Sequence, residues 1–196
     1  MKTWNVVFAG VGGQGILLAA EILGTAAVKE GFNARVSELH GMAQRGGAVV
    51  SHVRIGEKAL APTVLEGTAD VIVSLEPMEA LRNIKFASQK TIILVNNRPF
   101  KISGTQYPDV KKIFGHIHAF AGNVIQIDAV ALARKAGSAI TRNIVMIGAL
   151  AATGTLPLKL EILEETLQEL VPKKYADVNI KAFELGFKAV EKDYVK

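Results

Sequence analysis

Apolar and polar positions change their period along this chain, and each change marks an element. Trp4, Val6, Val7, Phe8 and Ala9 form a near-continuous apolar run, which predicts a strand covered on both faces. Ile16 to Glu30 then reads as a helix with Leu17, Leu18, Ala20, Leu23 and Gly24 in its body, and Gly31 follows as its stop. Phe32 to Ser37 predicts a second strand, with Ala34 to Ser37 at its heart. Between Val49 and Ile55, Val49, Ser51, Val53 and Ile55 alternate with Val50, His52 and Arg54, which predicts a strand with one wetter face. Gly56-Glu57-Lys58 is a turn, and Thr63 to Gly67 reads as a short helical turn. Asp70 to Leu75 and Thr91 to Val95 are buried strands flanking a helix from Pro77 to Phe86, opened by proline at its first position. Residues 98–115 carry Pro99, Gly104, Pro108 and Gly115, which break any period and predict an irregular arm.

Asn123 to Ile127 is a further strand. Asp128 caps a helix from Ala129 to Ala136, and Gly137 closes it. Ile144 to Ala152 is apolar nearly all round and carries Gly148 and Ala149, the pattern of a helix buried against close neighbours. Two amphipathic helices end the chain. Leu160, Leu163, Leu167 and Leu170 stripe Lys159 to Leu170; Phe183, Phe187 and Val190 stripe Asn179 to Lys192; Pro172 separates them. Strands alternating with helices predict a Rossmann-like three-layer α/β domain, with a mostly parallel sheet and C-terminal helices, over residues 1–196. The strand order stays open.

Composition narrows the chemistry. The chain has no cysteine, which excludes disulfides, a thiolate nucleophile and a conventional iron–sulfur cluster held by this chain. His40, His52, His116 and His118 lack a strong metal spacing and read as ordinary surface or interface histidines; on a strand, His116 and His118 would share a face, but no third ligand lies nearby. Net charge is +5, with the excess upstream of residue 151, yet no basic run or basic–aromatic interleaving points to nucleic acid. No apolar run suits a transmembrane helix, and the first strand starts at once, so no signal peptide and a cytoplasmic location are expected.

Two glycine-rich segments carry the candidate chemistry. Gly10-Val11-Gly12-Gly13-Gln14-Gly15 lies between the first strand and the first helix, where a dinucleotide fingerprint belongs. The acid that a NAD site places at the end of the second strand is missing: that register falls near Arg35, with Glu38 slightly late. A bound dinucleotide, close helix–sheet packing and contact with a partner or part of its ligand all remain open. The second segment, Ser37 to Ala48, is a polar loop carrying His40, Gln44 and Arg45 ahead of Gly46 and Gly47. Arg45 offers a planar fork of donors to carboxylate or phosphate, and the glycines let backbone pass close to another group. Asn96-Asn97-Arg98-Pro99 reads as an ordinary turn. No residue identifies itself as a general acid or base; His40 is the one to consider.

Gly-Val-Gly-Gly-Gln-Gly at 10–15, followed by His-Gly-Met-Ala-Gln-Arg-Gly-Gly at 40–47 and Arg-Asn-Ile-Val-Met-Ile-Gly-Ala-Leu at 142–150, resembles the gamma-type domain of the 2-oxoacid:ferredoxin oxidoreductases over nearly the whole chain. The lead into Arg45-Gly46-Gly47 is most similar to the beta-subunit branch for indolepyruvate, with the gamma subunits for pyruvate or branched-chain 2-oxoacids as the alternative, and a free-standing NAD(P)-binding protein as a reading of another class. The resemblance implies oxidative decarboxylation of an aryl 2-oxoacid with coenzyme A, yielding aryl-acetyl-CoA and reduced ferredoxin, in aromatic amino acid catabolism. It implies that thiamine diphosphate, magnesium and 4Fe-4S clusters sit in a large partner subunit, that this chain binds none of them and is inactive alone, and that the complex holds two copies of each subunit. Gly10, Gly12, Gly13, Gln14, Gly15, His40, Gln44, Arg45, Gly46 and Gly47 are then expected to face the partner or the ligand, with Arg45 and Gln14 near coenzyme A phosphates or the substrate carboxylate.

Overall fold

The computed structural model describes residues 2–41, 46–100 and 106–194. Six strands form one sheet: β1 Trp4–Val11, β2 Ala34–His40, β3 Ala48–Ile55, β4 Val71–Ser74, β5 Ile92–Asn96 and β6 Asn123–Ile127. Their spatial order is β2-β3-β1-β4-β5-β6. β1, β4, β5 and β6 run parallel, whereas β3 is antiparallel to both of its neighbours. Helices α1 Ile16–Lys29, α4 Ala129–Ala136, α5 Arg142–Ala152, α6 Leu160–Leu170 and α7 Ala176–Tyr194 cover one face; α2 Pro77–Arg82 and α3 Val110–Phe120 cover the other.

Alternation along β1 explains the two cores. Val6 and Phe8 point into the layer of α1, α5 and α7, while Val7 points towards Ile72, Ile93, Phe86 and Ile117 under α2 and α3. With both faces covered, the central strands read as continuous apolar runs.

Several sequence expectations need correction. Strand β2 runs on to His40, so His40 belongs to a strand that pairs antiparallel with β3 rather than to a loop. On the wetter face of β3, Val50 and Arg54 are partly exposed as expected, but His52 is fully buried: Val64 N–H donates to its Nδ1 at 3.0 Å and the Phe86 ring packs on it edge-on. Residues 110–120 form a helix, capped by the Asp109 carboxylate accepting from Lys111 N–H at 2.9 Å. The apolar spacing of Val110, Ile113, Phe114 and Ile117 outweighs the cost of Gly115 inside it. His116 and His118 therefore stand about 200° apart on a helix rather than sharing a strand face. The helix expected over Pro77–Phe86 ends at Arg82 and tightens to a 3-10 turn at Ile84–Phe86. Thr63–Gly67 contains bends and a turn, closed by Thr68 N–H on Leu65 O, rather than a helical turn. α7 starts at Ala176, ahead of the expected Asn179.

α5 and α7 cross with their backbones in contact. A Cβ on Gly148 would lie 2.0 Å from Phe183 O, and one on Gly186 would lie 1.9 Å from Val145 O. Each helix thus receives a carbonyl of the other into a glycine notch, a separation that any side chain forbids. This contact fixes where the first turn of α5 arrives.

Gly148→Ala should destabilise the chain by about 1–3 kcal/mol through overpacking, measured by urea denaturation. Gly115→Ala is the contrast: open space surrounds it on an exposed helix face, so alanine should stabilise by about 1 kcal/mol. Burial, with a smaller contribution from Lys85, lowers the His52 pKa below its ordinary 6.5. The unfolded chain then binds a proton that the folded chain refuses, so stability is full above 6.5 and falls with pH below it. His52→Asn should flatten this dependence between about pH 7.5 and 5.5, read from urea midpoints.

Candidate functional site

The site lies at the carboxyl ends of β1 and β4. These neighbours send their connections to opposite faces of the sheet, to α1 and α2, which opens a crevice where α/β sheets bind ligands. In this chain the Gln14 side chain occupies that crevice. Its Oε1 accepts from Val11 N–H at 2.8 Å and its Nε2 donates to Leu75 O at 3.4 Å, with 4% of the residue exposed. A Cβ on Gly10 would sit 2.7 Å from that Oε1, so the glycine makes room for the amide. Gly15 takes a left-handed conformation at φ 81° and opens α1 with no side-chain cap.

Asn143, in the first turn of α5, packs on Gly15 and donates to its carbonyl at 3.1 Å. A Cβ on Gly15 would meet Asn143 Nδ2 at 2.5 Å. The sequence places Asn143 in the 142–150 segment that carries the family resemblance, but not among the site residues. The signal that could have found it is a buried-type amide directly before an all-apolar helix.

The ends of β4 and β5 carry a second polar network. Asn96 Nδ2 donates to Leu75 O at 3.1 Å and to Arg98 O at 3.2 Å, while its Oδ1 accepts from Ala129 N–H at 3.1 Å. What read as an ordinary turn is a three-way clamp. Arg98 Nε donates to Asp128 at 2.8 Å, and Asp128 caps α4 through Ala131 N–H. That guanidinium holds the Asp128 carboxyl below its usual range. Buried Glu76 caps α2 through Glu79 N–H and accepts from Phe100 N–H and the Tyr107 hydroxyl. Burial raises the Tyr107 pKa, and the bond to Glu76 raises it further, so the phenol stays protonated. Burial also raises the Glu79 carboxyl, against the pull of Arg82 at 2.7 Å.

The two glycine-rich segments meet: Gly12 N–H donates to Gly47 O at 2.8 Å. His40 is exposed at the end of β2, on the same sheet edge. Gln44 and Arg45 lie outside the described residues. Gln14 is turned inward, both ends of its amide engaged, rather than out towards a ligand. Gly13 forms a ridge between two clefts. One, of about 490 Å³, is bounded by Ile16, Leu17, His40 and Val49; the other, of about 950 Å³, by Asn143, Thr141, Tyr175 and Asn179.

Dinucleotide geometry is absent from this neighbourhood. β3 stands between β1 and β2, so the strand that would carry a ribose-binding acid is not beside the glycine loop. Arg35 sits near the start of β2, at the opposite end from His40. For metals and clusters the donor set does not fit: the chain has no cysteine, and among the described residues no three His, Asp or Glu side chains gather. No helix among them is long and apolar enough to cross a membrane.

Residues 5–189 match the family described as pyruvate ferredoxin/flavodoxin oxidoreductase. An indolepyruvate oxidoreductase subunit from Pyrococcus horikoshii is 45% identical, covering 97% of this chain and 98% of its own length. The common gamma subunit of the pyruvate/ketoisovalerate oxidoreductases of Thermococcus kodakarensis is 28% identical, covering 93% and 95%. The crystal structure of a keto/oxoacid ferredoxin oxidoreductase gamma subunit from Geobacter sulfurreducens superposes with a TM-score of 0.70 at 26% identity, covering 95% of this chain and 98% of that one.

Replacing Gln14 by leucine should cost about 1–3 kcal/mol in a urea titration, since Val11 N–H is left buried without an acceptor. A midpoint equal to that of the unaltered chain would mean that the bridge adds nothing to stability.

Proposed function

The chain belongs to the pyruvate ferredoxin/flavodoxin oxidoreductase family, and we propose that within it the chain is the smaller, cluster-free subunit of an indolepyruvate:ferredoxin oxidoreductase. In that reaction an aryl 2-oxoacid loses its carboxylate as carbon dioxide, the acyl carbon is oxidised and transferred to the thiol of coenzyme A, and the electrons pass to ferredoxin. The observation that carries this reading is the near-full-length 45% identity to an indolepyruvate oxidoreductase subunit, against 28% to a pyruvate/ketoisovalerate gamma subunit.

The cofactor chemistry belongs to the large partner subunit on this reading. A 4Fe-4S cluster needs thiolates and the chain has no cysteine, and among the described residues no three His, Asp or Glu side chains gather for a metal. The small subunit then contributes shape and charge at the shared entrance. Its two glycine segments, tied at Gly12 and Gly47, form one edge of that entrance. Arg45 supplies a guanidinium for a coenzyme A phosphate or the 2-oxoacid carboxylate. Gln14 positions the loop from within. The complex works in the cytoplasm, where its soluble electron acceptor is found.

Co-expression with the candidate large subunit tests the reading. Anaerobic reduction of a ferredoxin-like dye should require indolepyruvate, coenzyme A and both chains; no association, with NAD binding by the isolated chain, would replace it with a dehydrogenase reading. In the active complex, Arg45→Ala should raise the Michaelis constant for coenzyme A or the 2-oxoacid by about tenfold or more, as for a lost charge-assisted hydrogen bond. Unchanged constants with normal assembly would remove Arg45 from the site.

A further inference from the structure

We infer that the larger cleft beside the glycine loop is the socket for an acidic segment of the large subunit that inserts an apolar side chain. This inference rests on the subunit reading above. The cleft encloses about 950 Å³ between the glycine loop, the corner joining α4 to α5, and the start of α7. Leu18, Val171 and Val178 give it an apolar floor.

The rim is apolar where a monomer has no use for it. Ile140 is 80% exposed and Tyr175 is 49% exposed, and both line the cleft. Exposed apolar groups gathered on a cavity mark a contact surface far better than scattered ones do.

Charge selects the occupant. Lys181 of α7 lines the cleft, and Lys173 and Lys174 stand between its lining residues Pro172 and Tyr175; all three are exposed and none forms an ion pair among the described residues. Lys174 lies over the Tyr175 ring at 4.8 Å. Arg142, between the lining residues Thr141 and Asn143, is half-buried, donates to Ala139 O at 3.2 Å and forms no ion pair among the described residues. Asp177 is the one carboxylate among the lining residues. A cationic rim around an apolar floor fits a segment with carboxylates flanking an aliphatic or aromatic tip.

Backbone capture completes the fit. Asn143 and Asn179 line the cleft, and each spends its Nδ2 on a carbonyl of this chain, Gly15 O at 3.1 Å and Tyr175 O at 2.8 Å. Each Oδ1 is then an acceptor for an incoming N–H. Because Asn143 also holds Gly15, an occupant here touches the residue that fixes the glycine loop.

The test is affinity for the tagged large subunit, by pull-down and calorimetry. Ile140→Asp, and separately Lys173→Glu with Lys174→Glu, should each weaken association at least tenfold. Leu60→Asp is the control: it is equally exposed, on the loop after β3 and away from this cleft, and should leave association unchanged. All altered residues are exposed, and thermal unfolding of each isolated variant checks that the fold survives. Unaltered affinity for both cleft variants overturns the socket while leaving the subunit reading intact. No association of the unaltered chain overturns the subunit reading and the socket with it. Normal assembly together with loss of a coenzyme A thermal shift in the cleft variants also overturns the socket, reassigning the cleft to a small ligand.

Discussion

One buried amide holds the working edge of this molecule together. Gln14 leaves the loop after β1, turns back to accept from Val11 and reaches across to the carbonyl at the end of β4. Two strands whose connections part to opposite faces are thereby joined at the place where their backbones would otherwise separate. The rest of the edge builds on that junction. Leu75 O, already bound by Gln14, also accepts from Asn96, and Asn96 holds the first turn of α4. Gly12 extends the same loop to Gly47, and Asn143 clamps it from α5. A polar group in a low-dielectric interior is expensive unless satisfied, and a satisfied one fixes geometry. The edge is accordingly a rigid platform.

That rigidity gives the glycine loop a meaning other than the one its spacing suggests. In a dinucleotide site the glycines admit a phosphate to the helix N-terminus. Here Gly10 admits the Gln14 amide, and Gly15 admits the Asn143 side chain. The same residue type serves close approach in both cases, but what approaches is protein. Inserting β3 antiparallel between β1 and β2 has a matching effect, since it removes the strand on which a ribose would be recognised. A fold with the outline of a nucleotide-binding domain has filled its glycine loop with its own side chains.

The sequence carried most of the architecture because most of its elements have one strong signal each. The apolar runs at Val6–Ala9 and Val71–Val73, Pro77 at a helix start, Asp128 as a cap and the small residues of α5 all act locally. What escaped were cases where tertiary context overrides a local cue. Gly115 argued against α3, yet the buried face of Ile113, Phe114 and Ile117 prevails. His52 looked polar, yet its ring is satisfied on one nitrogen and packed against Phe86. At the site, the glycine segments were legible as a pair, but the inward turn of Gln14 and the clamp of Asn143 were not. Those depend on contacts between residues 61 and 128 positions apart, which no spacing rule records.

The placement of β3 also bears on how the chain is made. β1 is synthesised before the other strands of this sheet, and it ends up in the middle of it. Its neighbour on one side begins at Ala48 and its neighbour on the other at Val71. The apolar run of Val6, Val7 and Phe8 therefore has both edges open until β3 has been synthesised, and one edge open until β4 has. An apolar strand left unpaired in that interval is the kind of surface through which unfinished chains aggregate.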